Sequence, residues 1–174
     1  HNGREETTTL CLIPQVKASI KIPLIAAGGI ATGRTMFATM ALGADAVQIG
    51  SRFVCSPEAS SHQSFKEAIV AANEGDTSLS LKRLTPVRLL KNDFYSQIQE
   101  AESNCVSEEA LKDLLGRARA KKGMFEGDIV QGELEIGQIS GAIDEVLPAG
   151  EIVRQVMSEY QQRKAAIFDS KSVF

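Results

Sequence analysis

The sequence has little of what metal sites and membrane spans require. Its 174 residues include only two histidines and three cysteines. The cysteines lie far apart without a C-x-x-C pair, so a zinc site is not expected and the thiols are expected to be reduced. No stretch approaches the roughly 18 consecutive apolar residues of a membrane span, and no segment resembles a signal peptide. The expected protein is soluble and cytoplasmic, with no membrane partner.

Charge is not concentrated in one region either. The 19 basic and 22 acidic residues are scattered and give a net charge of −3. No basic stripe with interleaved aromatic residues exists, so nucleic acid is not an expected partner. The length suffices for one well-buried domain, but the chain begins with histidine instead of methionine. This start predicts that the chain is part of a longer protein.

Two short apolar runs that end in glycine are the most informative features present. They are residues 25–30 (IAAGGI) and 47–53 (VQIGSRF). Around them the pattern predicts a helix over 7–20 with Pro14 in its first turn, a strand over 24–27, a helix over 33–42 and a strand over 46–50. Such alternation, with apolar strands, favours parallel strands that are buried on both faces.

The glycines at these strand ends predict a phosphate site. Gly28 and Gly29 precede the helix over 33–42, while Gly50 and Ser51 precede the next segment. A phosphate needs several N–H donors and a partial positive charge, which glycine turns at helix N-termini provide. Two consecutive strand ends of this kind suggest the closing part of a (β/α)8 barrel. The alternative is that the glycines only permit tight turns.

The rest of the chain is predicted to be mostly helical. Helices are expected over 61–73, 94–104 and 107–121, the last with Ser107 as its N-cap. Residues 77–84 alternate between polar and apolar side chains. The segments 139–143 and 149–160 are predicted to be helical, with a frayed tail from 161 onward.

A nucleotide-triphosphatase loop is a weaker alternative. Residues 28–35 (GGIATGRT) fit the P-loop pattern except that Arg34 stands at the lysine position. The planar guanidinium is a poor substitute for the compact ammonium that reaches the β and γ phosphates. The strand that follows also ends in glycine, where a P-loop protein would have aspartate.

The motifs taken in order resemble the nitronate monooxygenase family, formerly called 2-nitropropane dioxygenases. This family also includes flavin-dependent type II enoyl-acyl-carrier-protein reductases. The resemblance rests on the N-terminal HNG, on PLIAAGGIATGR at 23–34, on LGADAVQIGSRF at 42–53 and on GQISG at 137–141. It covers nearly the whole chain to about Tyr160.

The resemblance implies an α/β chain that forms the C-terminal part of a TIM (β/α)8 barrel holding FMN, with a small helical element inserted. On this view residues 1–56 carry the last barrel strands and helices. Residues 57–138 form the inserted, mostly helical element. Residues 139–174 form the terminal barrel helices and the tail.

The resemblance also implies the site residues. Carried over from the family, the two sides of the FMN phosphate would be lined by Ala27, Gly28 and Gly29, and by Gln48, Ile49, Gly50 and Ser51. His1 matches the family histidine that lies close to the flavin and the substrate, and imidazole suits proton transfer near neutrality.

Two reactions and one inactive state follow from the resemblance. The favoured one is oxidation of an alkyl nitronate by O2 to a carbonyl compound and nitrite, because residues 116–128 look more like the monooxygenase branch. The alternative is reduction of an enoyl thioester with NAD(P)H. A third is an inactive module that requires its missing N-terminal half. Expected partners are the small-molecule substrate and that missing half, with a homodimer also open.

Overall fold

The structure, a computed structural model, describes residues 7–168, and these divide into two compact units. We call residues 7–58 and 147–168 the α/β unit and residues 59–146 the inserted unit. The elements in chain order are α1 (Thr9–Ser19), β1 (Ile25–Ala27), α2 (Gly33–Ala41), β2 (Ala46–Gln48), α3 (Ser51–Val54), α4 (Gln63–Val70), β3 (Thr77–Ser80), β4 (Val87–Leu90), α5 (Asp93–Ser103), α6 (Glu108–Leu115), α7 (Arg119–Met124), a 3-10 helix (Gln138–Ala142) and α8 (Ala149–Phe168). None of the helices in 7–168 is long and apolar enough to cross a lipid bilayer.

The α/β unit is built on two parallel strands. β1 pairs with β2 in the register Ile25↔Ala46 and Ala27↔Gln48, with α2 as the crossover between them. This parallel pairing confirms the predicted α/β class. The prediction that the strands are buried on both faces is wrong, because Ile25 is 60% exposed and only Ala26 of β1 is buried. Within residues 7–168 each of the two strands has only the other as a strand neighbour, so the outer edge of each strand is unpaired there.

Apolar side chains from α1, β1 and the loops hold this unit together. The buried cluster consists of Ile13, Ala26, Ile30 and Ala44. On the other side α8 contributes the buried side chains of Ile152 and Val156. Pro14 lies in the second turn of α1 and not in the first as predicted, because the helix already begins at Thr9. The helix α8 continues through the segment that was predicted to fray from 161, up to Phe168.

An acidic side chain ties the start of β1 to α1. The Asp45 carboxylate accepts hydrogen bonds from Lys17 Nζ at 2.6 Å and from the backbone N–H of Leu24 at 2.8 Å. The hydrogen bond from Lys17 is the main cause that lowers the pKa of Asp45 below its ordinary value, and the Leu24 amide adds to it. This contact fixes the segment that leads into β1.

The inserted unit has its own core and a small antiparallel sheet. β3 pairs with β4 from Thr77↔Leu90 to Ser80↔Val87, and Leu89 forms a further bridge to Glu135. The core packs between this sheet and α5 and consists of Leu81, Val87, Leu89, Phe94 and Ile98. The strand β4 was not predicted, although the alternating stretch before it becomes β3.

The helix predicted over 107–121 is two helices. Ser107 is the N-cap as predicted, since its side chain accepts from the Ala110 N–H. The helix α6 ends where Gly116 and Ala118 adopt positive φ angles of 66° and 57°. The Arg119 guanidinium stabilises this break, because it donates to the carbonyls of Leu114, Leu115 and Gln131.

The division between the units corrects one predicted boundary. The observed changes of unit fall at 58/59 and 146/147. The predicted boundary at 138/139 is wrong, because residues 139–146 belong to the inserted unit. Ile143 is 2% exposed there, and a Cβ on Gly141 would lie 3.0 Å from the backbone of Asn73.

One buried carboxyl group makes the inserted unit sensitive to pH. Glu133 is 7% exposed. Burial, reinforced by the nearby Glu135, raises the pKa of Glu133 from 4.5 to about 7, and Arg119 offsets part of this rise. Because the folded pKa lies above the unfolded one, the stability contributed by this group is fully present below about pH 4.5. It is lost as the pH rises through 7.

We therefore expect Glu133→Gln to stabilise the inserted unit at pH 8 by roughly 1–3 kcal/mol and to change it little at pH 5. The measurement is hydrogen exchange of the amides in residues 87–90 and 133–136 at both pH values, corrected for intrinsic exchange. Glu100→Gln, at an exposed position on α5, is the control. An unchanged pH dependence in Glu133→Gln would show that another group is responsible.

Candidate functional site

The register of the parallel strands brings the two glycine loops together. Ala27 and Gln48 are paired at the carboxyl ends of β1 and β2. The next residues along the two strands, Gly28–Gly29 and 49–51, therefore leave the sheet side by side. Gly28, Gly29 and Gly50 are all exposed. The sequence-predicted residues thus form one continuous, accessible backbone surface at this end of the sheet.

The first loop requires glycine for conformational reasons. Gly28 and Gly29 have φ angles of 98° and 71°, in the region that residues with a side chain rarely adopt. The Gly28 carbonyl accepts a hydrogen bond from the Thr9 hydroxyl of α1 at 3.1 Å. The loop is therefore held from one side by α1, a contact that the sequence analysis did not identify.

The second loop has glycine for a different reason. Gly50 is the N-cap of α3 and has a φ of −108°, which any residue can adopt. A Cβ built on Gly50, or on Gly29 across from it, would meet no heavy atom within 4 Å. The amides of Gly29 and Gly50 also have no acceptor among residues 7–168. The side-chain positions of both glycines are thus open, and both amides lack an acceptor within residues 7–168. A phosphate group requires such accessible donors, so the residues present fit an anion here.

Two of the first amides of α2 are bound by side chains of the protein, so they do not serve the predicted anion site. The Thr35 N–H donates to the Thr32 hydroxyl in a capping box, and the Thr35 hydroxyl accepts from the amides of Ala31 and Thr32. The Gly33 N–H donates to the Glu159 carboxylate at 2.9 Å. The Gly33 and Thr35 amides at the start of α2 are thus already satisfied within the protein.

The same contacts argue against a P-loop. In a P-loop the backbone amides of the glycine-rich segment must be open to the phosphates. Here the amides of Ala31, Thr32, Gly33 and Thr35 are bound to side chains of the protein. Arg34, at the lysine position, lines a groove between α2 and α8.

The structure describes only one of the two histidines. His1 lies outside the described residues, so its role stays a prediction. His62 begins α4 as its N-cap, where its Nδ1 accepts from the Ser64 N–H at 3.2 Å.

Some residues that hold the loops in place could have been recognised in the sequence, and others could not. The T-x-x-T spacing of Thr32 and Thr35 is a recognisable capping signal. Glu159 and Thr9 carry no such signal, because each contacts the loops only through the tertiary fold. Glu159 is 126 positions from its partner Gly33.

Comparison with known proteins shows the family. The family model described as nitronate monooxygenase matches residues 1–159, so the chain belongs to the nitronate monooxygenase family. This membership confirms the resemblance seen in the motifs. A probable nitronate monooxygenase of Staphylococcus saprophyticus is 34% identical over 131 residues, which are 75% of this chain and 37% of that protein.

Solved structures show the same relationship. The structure of FabK from Thermotoga maritima is 37% identical to this chain, with a TM-score of 0.87, and the match covers 95% of this chain and 52% of that one. Nitroalkane oxidase from Streptomyces ansochromogenes is 29% identical with a TM-score of 0.74, over 91% of this chain and 45% of that one. The chain thus spans about half the length of these structures and less than half of the curated relative.

Proposed function

We propose that the complete protein is an FMN-dependent oxidoreductase, and that this chain supplies the loops that bind the FMN phosphate. The observation that carries the proposal is the pairing of Ala27 with Gln48, which brings the two loops with the exposed Gly29 and Gly50 to the same end of the sheet. Membership of the nitronate monooxygenase family supports the choice of a flavin over other phosphate ligands.

The chain's own residues would act on the phosphate through their backbones. Ala27, Gly28 and Gly29 would line one side, and Gln48, Ile49, Gly50 and Ser51 the other. Glycine lets the phosphate approach the amides without a side chain between them. The Ser51 hydroxyl would add one further polar contact. When bound, the flavin would supply the electron transfer, and the protein would supply orientation and proton handling.

We further propose that the chain is the C-terminal part of a (β/α)8 barrel whose other strands lie in the missing half of the protein. The exposed apolar residues of the α/β unit support this. Ile25 of β1 and Leu10 of α1 are 60% and 66% exposed. In a closed barrel the interior side chains of the other strands and the neighbouring helices would pack against β1 and α1 and cover such side chains. This chain spans only part of the length of its relatives, which is consistent with a barrel completed by another part of the protein.

For the reaction, we favour oxidation of an alkyl nitronate by O2. His1 would bind the nitro oxygens or take a proton from a neutral nitroalkane, since imidazole titrates near neutrality. The similarity to FabK, at the higher identity and TM-score of the two structures, supports reduction of an enoyl thioester with NAD(P)H as a second candidate. There the same histidine would help to protonate or polarise the thioester.

The phosphate site is tested by comparing FMN with riboflavin, which lacks the phosphate. In the full-length protein we expect Gly50→Ala to weaken FMN binding roughly tenfold or more, because its methyl group enters the space above the amides. Riboflavin binding should change little. The backbone at Gly50 accepts alanine without strain, whereas Gly29, at positive φ, does not.

Fluorescence titration with each flavin measures both dissociation constants. The matched control is Gly150→Ala, where the new Cβ would meet only the Arg154 side chain, at 3.8 Å. Equal losses for FMN and riboflavin in Gly50→Ala, or no loss for either, would remove these loops from phosphate binding.

The two reactions are separated by steady-state assays of the flavin-loaded, full-length protein. With propionate 3-nitronate and no nicotinamide we expect oxygen uptake and release of nitrite. With an enoyl thioester we expect no faster oxidation of NADH than without it. The reverse pattern would assign the protein to the reductase branch.

Replacing His1 tests its proposed role in the full-length protein. We expect His1→Ala to slow turnover roughly 100-fold or more while the flavin stays bound, because only proton transfer or substrate orientation is lost. The measurements are the rate with the better substrate and the flavin absorbance per protein. A rate equal to that of the unaltered protein would exclude the histidine from the reaction.

A further inference from the structure

We propose that Glu159 of α8 is a positioning residue that sets the first glycine loop for the FMN phosphate. This inference rests on the proposed function. The Glu159 carboxylate accepts the Gly33 N–H at 2.9 Å, and the glycine loop ends only a few residues earlier in the chain. The position of Gly29 therefore depends on where α8 holds the start of α2.

The helices α2 and α8 are in direct backbone contact at Gly33. A Cβ on Gly33 would lie 2.2 Å from the Tyr160 nitrogen and 2.2 Å from the Val156 oxygen, distances that no real atom could occupy. One turn further along α2, the rings of Phe37 and Tyr160 pack in a tilted arrangement with their centroids 5.8 Å apart. Because backbone meets backbone at Gly33, a small shift of α8 would move the start of α2 with it.

Glu159 also determines which amides remain for a ligand. Its carboxylate is a negative group at the N-terminus of α2, the place where an anion would otherwise bind. With the Gly33 amide taken, the Gly29 and Gly50 amides, which have no acceptor within residues 7–168, remain for a phosphate. Glu159 thus keeps the phosphate between the strand ends and away from α2.

The test uses the ratio of riboflavin to FMN dissociation constants in the full-length protein. A residue that supports only the general fold would change both constants together and leave their ratio unchanged. We expect Glu159→Ala to lower the ratio roughly tenfold, because a hydrogen bond to a charged group that fixes the loop is lost. Glu159→Gln keeps an acceptor for the Gly33 N–H and should retain most of the ratio.

Glu151→Gln is the matched control, since Glu151 lies on the same helix and pairs with Arg154. It should leave the ratio unchanged. Thermal unfolding of each variant without flavin identifies any loss of folding. If Glu159→Ala does not fold, Glu159→Asp, whose shorter side chain cannot reach Gly33 in the same geometry, replaces it with the same expected loss.

The outcomes distinguish this inference from the function on which it rests. Preference for FMN in the unaltered protein, with an unchanged ratio in Glu159→Ala or its replacement, would overturn the positioning role and leave the proposed function standing. An unaltered protein with no preference for FMN over riboflavin would overturn both.

Discussion

The parallel pairing of β1 with β2 is the constraint on which the candidate site depends. Parallel strands end at the same edge of a sheet, so a register that pairs Ala27 with Gln48 places the following glycines beside each other. The site contains no titratable side chain among its described residues; it is made of backbone amides. Such a site depends on where the chain runs more than on which side chains it carries, with glycine as the exception because it leaves the amides accessible.

The packing of α8 on α2 completes this arrangement. Gly33 permits the two helices to meet at backbone distance, and Glu159 satisfies the first amide of α2. A helix start that would attract an anion is therefore closed by a carboxylate from the same unit. Thr9 holds the loop from α1 in a similar way. The amides of Gly29 and Gly50 are among those that none of these contacts uses.

The inserted unit has its own core and its own polar contacts. Its core is formed by an antiparallel pair of strands and the helices that follow, and Arg119 holds together the ends of two of these helices by donating to three carbonyls. The same guanidinium lies 4.7 Å from the centre of the Phe94 ring. Glu133, by contrast, is a buried carboxyl group. Burial and the nearby Glu135 oppose its ionisation. The unit thus combines a cation with several hydrogen-bond acceptors and a buried carboxyl group whose contribution to stability is lost as the pH rises.

The helix–strand–helix–strand order of residues 7–50, the N-cap at Ser107 and the glycines of both loops were determined by the sequence itself. These features depend on local backbone preferences and on the spacing of apolar residues, which can be recognised within a few turns. The family was also readable from the order of its motifs. Only the tertiary structure decided that Glu159 closes α2, that residues 139–146 belong to the inserted unit and that Glu133 is buried. Each of these depends on contacts between residues far apart in the chain. No local pattern specifies which distant side chain will accept a hydrogen bond from a given amide.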